Sequence, residues 1–224
     1  MFIQGRRGAD PEPGVVEALR QASPSTYGHR TDLGFVRGLT TWTRRVRLAG
    51  PALTVHLPHL DSTALHCALD LVHPGDVVVV DQSGDLERAS WGGGVSYAAK
   101  ARGAAGAVVD GAITDIAEIE ELEFPIFYRS ISALTTRILG IEGAINVPVQ
   151  VGGVVVHPGD LVFADENGVA ILAPAGALEL ARSLTEREAG EGEMKRKLDA
   201  GASLADLSGA RKLFEAKRQP PESA

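Results

Sequence analysis

The sequence predicts an α/β domain built on a partly parallel sheet, followed by a charged helical extension. Three observations carry this. Short apolar β-branched runs, "VVVVD" and "AAGAVVDG", alternate with segments of helical length, the pattern of strands joined by crossover helices. From Ile145 the texture changes to "INVPVQVGGVVVHPGDLVFADENGVAILAP", strand after strand separated by Gly and Pro turns. From Ala175 it becomes "GALELARSLTEREAGEGEMKRKLDAG", helical but too sparse in apolar positions for a buried core helix.

Taken in order, residues 1–14 are rich in Gly, Pro and charge and read as a loose lead-in. Val15 to Gln21 reads as a short helix, and "ASPSTYGHRTDLGF" as a loop or capped turn followed by another short helix. Alternation and β-branched residues favour a strand from Arg47 to His56. In "DSTALHCALDLV", Asp61 is a good N-cap, and Leu65, Leu69 and Val72 share one helical face. His73-Pro74-Gly75 ends that helix, and "VVVVD" is a buried strand. The Gly-rich "WGGG", the Ala-rich helix "VSYAAKARG" and the strand "AAGAVVDG" follow. After "ITDIAEIEELEF" comes the short strand "PIFYR". The β-rich segment from Ile145 packs on the sheet or closes it. Gly190 and Gly192 are weak points of the last long helix, which is either solvent-exposed or docked on another subunit. The reading divides the chain into an α/β domain over 1–174, a helical extension over 175–218 and a disordered tail over 219–224.

One phrase occurs twice, "HPGDVVVVDQSG" from His73 and "HPGDLVFADENG" from His157. Pro-Gly sets a tight turn, Asp bonds the turn's own backbone, and the apolar run makes a buried strand. "DQSG" and "DENG" read as closing turns, so the phrase is scaffold rather than site.

The composition narrows the function. Charged residues make up 23% and apolar residues 44%, an ordinary globular mix. A net charge of −7 with no basic stripe argues against a binder of nucleic acid. A lone cysteine, Cys67, gives no intrachain disulfide framework. With no signal peptide and no span of about 18 apolar residues, the expectation is a soluble cytoplasmic protein without membrane contact.

Three groups of residues are candidates for chemistry. Gly92, Gly93 and Gly94 lead into a helix. They suit either a tight strand-to-helix turn or an anion held on free N–H groups, with Val95 completing the loop. Asp115 and Glu118 have the spacing of a capping box, yet one capping bond leaves a carboxylate oxygen free for a hydrated cation. His56, His59, Asp61 and His66 do not match ordinary zinc spacings. No Gly-x-Ser-x-Gly elbow is present, so nucleophilic hydrolase chemistry has little support.

Taken together and in order, "GPALTV", "HPGDVVVVD", "ASWGGGVSYAAKARGAAGAVVDGAITDI", "FPIFYR" and the β-rich segment with its charged helix resemble one family. It is that of the regulator of ribonuclease activity A (RraA) and the 4-hydroxy-4-methyl-2-oxoglutarate (HMG) aldolases, over about Thr26 to Gly201. The resemblance implies a three-layer β/β/α swivelling-type domain and a homotrimer or hexamer with sites at subunit interfaces. It implies a class II lyase that uses a divalent metal to cleave small 2-oxo acids, by retro-aldol reaction or decarboxylation, to pyruvate. By position, Asp115 matches the aspartate that holds Mg²⁺ or Mn²⁺ through waters, and Gly92 to Val95 match the cradle for the oxo-acid end. A glutamate of the last helix, Glu191 or Glu193, reaches a neighbour's site. Two positions depart from the pattern. The aldolases carry an Arg before the metal Asp, where this chain has Thr114, expected to bond a substrate hydroxyl or water. Their glycine loop often has an acidic residue where this chain has Gly93. Arg129, or less directly Arg88, is the expected replacement cation. The same resemblance leaves a non-catalytic, protein-binding regulator as the alternative.

Overall fold

The computed structural model describes residues 1–43, 45–58 and 60–218. His59 and the tail from 219, expected to be disordered, lie outside the described residues. The chain opens with strand β1 (Phe2–Gln4), helices α1 (Val15–Gln21) and α2 (Pro24–Gly28), and strands β2 (Phe35–Val36) and β3 (Leu48–His56). Then come α3 (Thr63–Ala68), β4 (Val77–Trp91), α4 (Gly93–Ala101), β5 (Gly106–Ile113), α5 (Ile116–Glu121) and β6 (Ile126–Ile131). The β-rich part supplies β7 (Gly143–Ile145), β8 (Val149–Val151), β9 (Val154–Val156), β10 (Leu161–Asp165) and β11 (Gly168–Leu172). Helices α6 (Ala177–Asp199), α7 (Leu204–Leu207) and α8 (Ala210–Glu215) close the described chain.

The main sheet runs β2-β11-β10-β3-β4-β5-β6. Its centre, β3 to β6, is parallel, and β10 and β11 extend it antiparallel from β3. Strands buried on both faces read as continuous apolar runs, which is why "VVVVD" carries no alternation. One face of that run, Val78 and Val80 with Val109 and Tyr128, packs against Leu65 of α3, Ala99 of α4 and Ile119 of α5. The other, Val77 and Val79 with Val108 and Phe127, packs against Val149, Val151 and Val156 of the β8–β9 hairpin. Helices, sheet and second β layer give the β/β/α order expected. A third cluster joins Leu19 of α1 and Phe163 of β10 to Ala181 and Leu184, the buried face of the first turns of α6. The rest of α6 is exposed and continues through Gly190 and Gly192.

Three local expectations are corrected. The first residues are not loose: β1 pairs in parallel with β7, and Arg7 makes a two-pronged ion pair with the buried Asp76 at 2.6 and 2.8 Å. "DQSG" does not end a strand. Asp81 accepts the Ser83 N–H and the chain bulges at Ser83 and Gly84, both at positive φ, after which β4 continues to Trp91. Finally, the only helix in the "ASPSTYGHRTDLGF" stretch is α2, whose N-cap Ser23 accepts the Ser25 N–H at 3.3 Å; β2 follows it.

Candidate functional site

Ligands of open parallel sheets bind beyond the carboxyl ends of the strands. At that edge β4 and β5 deliver Gly92 to Val95 and Thr114-Asp115 side by side. The end of β4 is pinned by Trp91, fully buried, stacked on Phe124 with ring centroids 6.0 Å apart and donating its indole N–H to Ser96 Oγ at 2.7 Å. Thr114 N–H donates to the Trp91 carbonyl at 2.9 Å, which fixes the two loops relative to each other.

Asp115 occupies the N-cap position of α5 in the left-handed region (φ 57°, ψ 42°), and its side chain makes no capping bond. The capping-box reading of Asp115 and Glu118 is therefore corrected: a left-handed N-cap points its carboxylate away from its own helix. Asp115 Oδ2 instead accepts the Gly93 N–H at 3.1 Å, and Oδ1 takes a long contact of 3.3 Å from the Thr114 hydroxyl. The glycines are explained by the same approach. A Cβ at Gly92 would lie 2.5 Å from Asp115 Oδ2, and one at Gly93 would lie 1.9 Å from Glu118 Oε2. Two carboxylates from the start of α5 thus occupy the space that side chains at 92 and 93 would need. A Cβ at Gly94 would meet nothing within 4 Å.

These loops line a cavity of about 520 Å³, completed by Ser62, His66, Ser90 and the segment Thr135 to Ile138. That size is ordinary for a small-molecule site. The Ser90 hydroxyl is buried without a hydrogen-bond partner among the described residues. Asp115 has no cation within 4 Å among them.

The structure brings Gly92, Gly94, Val95, Thr114 and Asp115 together, with Gly93 beside them. It does not bring Arg129. Strand alternation places Arg129 with Phe127 on the second-β-layer face, where its Nε donates to Asp110 and where Asp110 Oδ2 also accepts the Gly152 N–H at 3.0 Å. Arg129 and Asp110 line a separate cavity that shares no residue with the first. The expectation of Arg129 as the site's cation is corrected on this ground, and Arg88 does not line the Asp115 cavity either. Glu193 pairs with Lys197 on α6 at 2.7 Å, and neither it nor Glu191 lines the cavity of its own chain. Sequence reasoning missed two contributors, Glu118 as a neighbour of Gly93 and Arg137 on the cavity wall. Glu118 was hidden by its capping-box spacing, and Arg137 sits in "LTTRILG", which carries no motif.

Layered β/β/α architecture with a glycine-lined, carboxylate-bearing cavity at the strand ends defines a class of three-layer α/β proteins. The chain belongs to the RraA-like family, described as Aldolase/RraA, whose profile matches residues 15–171. It is 42% identical over 149 residues to a provisionally named HMG aldolase of Halalkalibacterium halodurans, covering 63% of this chain and 70% of that one. Among solved structures it is similar to Streptomyces coelicolor RraAS2, an unusual member of the RNase ES inhibitor RraA family (31% identity, TM-score 0.75, 84% of this chain and 99% of that one). It is also similar to the RNA-processing inhibitor RraA of Thermus thermophilis (30% identity, TM-score 0.57, 62% and 83%). No helix among the described residues is long and apolar enough to cross a membrane.

Proposed function

We propose that the protein is a divalent-metal-dependent lyase that cleaves a small 2-oxo acid to a pyruvate-type product. The observation that carries the reading is Asp115: a carboxylate turned off its own helix, anchored by one backbone N–H, and without a cationic partner among the described residues at the rim of the cavity. Several relatives are provisionally named HMG aldolases, which agrees with it.

The donor set fits Mg²⁺ or Mn²⁺. Asp115, Glu118 and the Thr114 hydroxyl are hard oxygen donors, and no three His, Cys, Asp or Glu among the described residues converge to form an all-protein cage. Mg²⁺ dehydrates reluctantly and is typically held by one or two carboxylates plus water and substrate. Asp115 would hold the ion, with Glu118 adding negative charge. When bound, the ion polarises the 2-oxo group and stabilises the enolate charge left by C–C cleavage. The chain's own groups do the rest. The Gly94 and Val95 N–H groups at the start of α4 take the carboxylate of the oxo-acid end. Thr114 bonds a substrate hydroxyl or water, and the Gly93 N–H keeps Asp115 in place.

The test is pyruvate release from HMG or oxaloacetate in the presence of Mg²⁺ or Mn²⁺. The informative variant is Asp115→Asn, since Asn tolerates the left-handed backbone and removes only the charge. Activity that is absent with both substrates, or that survives in Asp115→Asn, sinks the reading. A second reading, a protein-binding regulator, is favoured by the match to nearly the whole of the RraAS2 chain. Calorimetry separates the two: the regulator reading wins if no divalent ion binds with or without an oxo acid. We propose as well that the protein is cytoplasmic and works as a homotrimer or hexamer.

A further inference from the structure

The strand order β3-β4-β5 sets the arrangement across the cavity. Residues 60–62, after β3, lie on one side; Gly92 to Val95, after β4, lie in the middle; Thr114 and Asp115, after β5, lie on the other. Arg137 enters from the first side. Its N–H donates to the Leu60 carbonyl at 2.8 Å, and its carbonyl accepts the Ser62 N–H at 2.9 Å. The chain on both sides of it is equally fixed. Thr136 N–H donates to the Ala89 carbonyl at 2.9 Å. Asp61, 1% exposed, gathers the amides of Leu139, Ile141 and Glu142 at 3.2, 2.6 and 3.3 Å. A loop tied at so many points holds the base of Arg137 in one place. The guanidinium makes no ion pair or hydrogen bond with any described residue, and Arg137 is the only Lys or Arg among those lining the cavity.

We propose that Arg137 binds the second carboxylate of a 2-oxo dicarboxylic acid whose oxo-acid end lies against the Gly94 and Val95 amides; this rests on the lyase reading above. An Arg fork pairs with a carboxylate through two parallel hydrogen bonds. Its place on the β3 side, across the β4 loop from Asp115, suits a charge at the far end of the substrate. The contact also selects the reaction. In retro-aldol cleavage of a 4-hydroxy-2-oxo diacid the C3–C4 bond breaks and its electron pair passes to C3 and the C2 oxygen. The C4 hydroxyl gives its proton to solvent and becomes a carbonyl, and C3 regains a proton to give pyruvate. The far carboxylate stays an anion throughout, so Arg137 holds it from substrate to product. Loss of that same carboxylate as neutral CO₂ would forfeit the ion pair, so Arg137 favours aldol cleavage over decarboxylation.

The experiment compares wild type with Arg137→Met and Arg137→Lys in Mg²⁺, using HMG and the monocarboxylate 4-hydroxy-2-oxopentanoate. The side chain is exposed, and matching thermal melts verify folding. Arg137→Met is expected to lower kcat/KM for HMG about tenfold or more and leave the monocarboxylate unchanged, with Arg137→Lys in between. An equal fall for both substrates, or no fall, overturns the proposal while leaving the lyase reading intact. If wild type cleaves neither substrate, calorimetry with 2-oxoglutarate and 2-oxobutyrate decides. Tighter binding of the diacid that Arg137→Met abolishes supports Arg137, with the lyase reading decided separately by the oxaloacetate assay. No such preference overturns the Arg137 proposal.

Discussion

Asp110 and Asp115 leave the same strand five residues apart and meet opposite fates. Asp110, 5% exposed, is saturated by the Arg129 guanidinium on one oxygen and the Gly152 N–H on the other. Asp115 stands at the rim with one backbone N–H and one long hydroxyl contact. The first ties β5 and β6 to the second β layer; the second is left with coordination capacity to spare. A carboxylate whose oxygens are already matched to a cation and an amide is scaffold, and one that is not is available for chemistry. The contrast is broken most directly by removing each charge. Asp115→Asn is expected to lower turnover of a 2-oxo acid by about a thousandfold, some 4 kcal/mol of transition-state stabilisation, with the melting temperature essentially unchanged. Steady-state kinetics beside a thermal melt measures both.

Asp110→Ala should do the reverse. It strips Arg129 of its partner and leaves the Gly152 N–H unpaired, a loss of about 3 kcal/mol. In a chain of this size that corresponds to a melting temperature lower by roughly 6–12 °C. Activity measured well below the transition should stay within about twofold of wild type, since nothing at the Asp115 rim has changed. A thousandfold loss of activity in Asp110→Ala would erase the distinction between the two carboxylates.

Asp61, buried like Asp110 and unlike the rim carboxylate Asp115, sharpens the comparison through pH. Burial alone would push its carboxyl up, but the hydroxyl and amide of Thr63 and the amides of Ile141 and Leu139 hold it well below the ordinary range. The folded value is lower than the unfolded value of about 3.9. Its contribution to stability is therefore complete above that value and is lost as pH falls from there toward the folded one. Urea unfolding of wild type and Asp61→Asn should differ most near neutral pH and converge as the pH is lowered below about 4. A gap that stays constant with pH would show that the hydrogen bonds do not depend on the carboxylate charge.

The two His-Pro-Gly-Asp copies show how much of this was legible. The turn chemistry reads directly from the sequence. Asp76 and Asp160 accept the His73 and His157 N–H groups at 2.9 and 2.8 Å, and Gly75 and Gly159 sit at φ 92° and 88°. The closing aspartates repeat each other as well, Asp81 accepting the Ser83 N–H and Asp165 the Asn167 N–H. What the chain does next does not read. "DENG" makes the tight hairpin from β10 to β11, whereas "DQSG" bulges and lets β4 run on beside β5 after its pairing with β3 has ended. Local hydrogen bonds are the same in both, and the neighbouring strands decide the direction. A tertiary choice also separated Arg129 from Asp115: alternation puts Arg129 on the Phe127 face of β6, and it is the packing of the second β layer on that face that takes it away from the cavity. The strand-to-helix turns that carry Gly92 to Val95 and Asp115 were legible because turn chemistry is local. Arg137 was not, because only the loop that Asp61 gathers brings it to the cavity.

The smallest expected effect distinguishes the three glycines of that loop. At Gly92 and Gly93 the Asp115 and Glu118 carboxylates stand where a side chain would go, so a Cβ at either must displace a carboxylate of the rim. Gly94 has no such neighbour and lines the cavity, so only a ligand stands to object to a methyl group there. It also lies in the first turn of α4, where replacing Gly by Ala removes backbone freedom from the unfolded chain. Gly94→Ala should thus raise stability by up to about 1 kcal/mol. If a carboxylate docks on the Gly94 and Val95 amides, the same change should raise KM for the 2-oxo acid several-fold and leave the pH profile of kcat alone. A variant that is more stable and binds substrate normally would place the oxo-acid end elsewhere in the cavity. A less stable one would mean that the backbone at 94 is glycine for a structural reason.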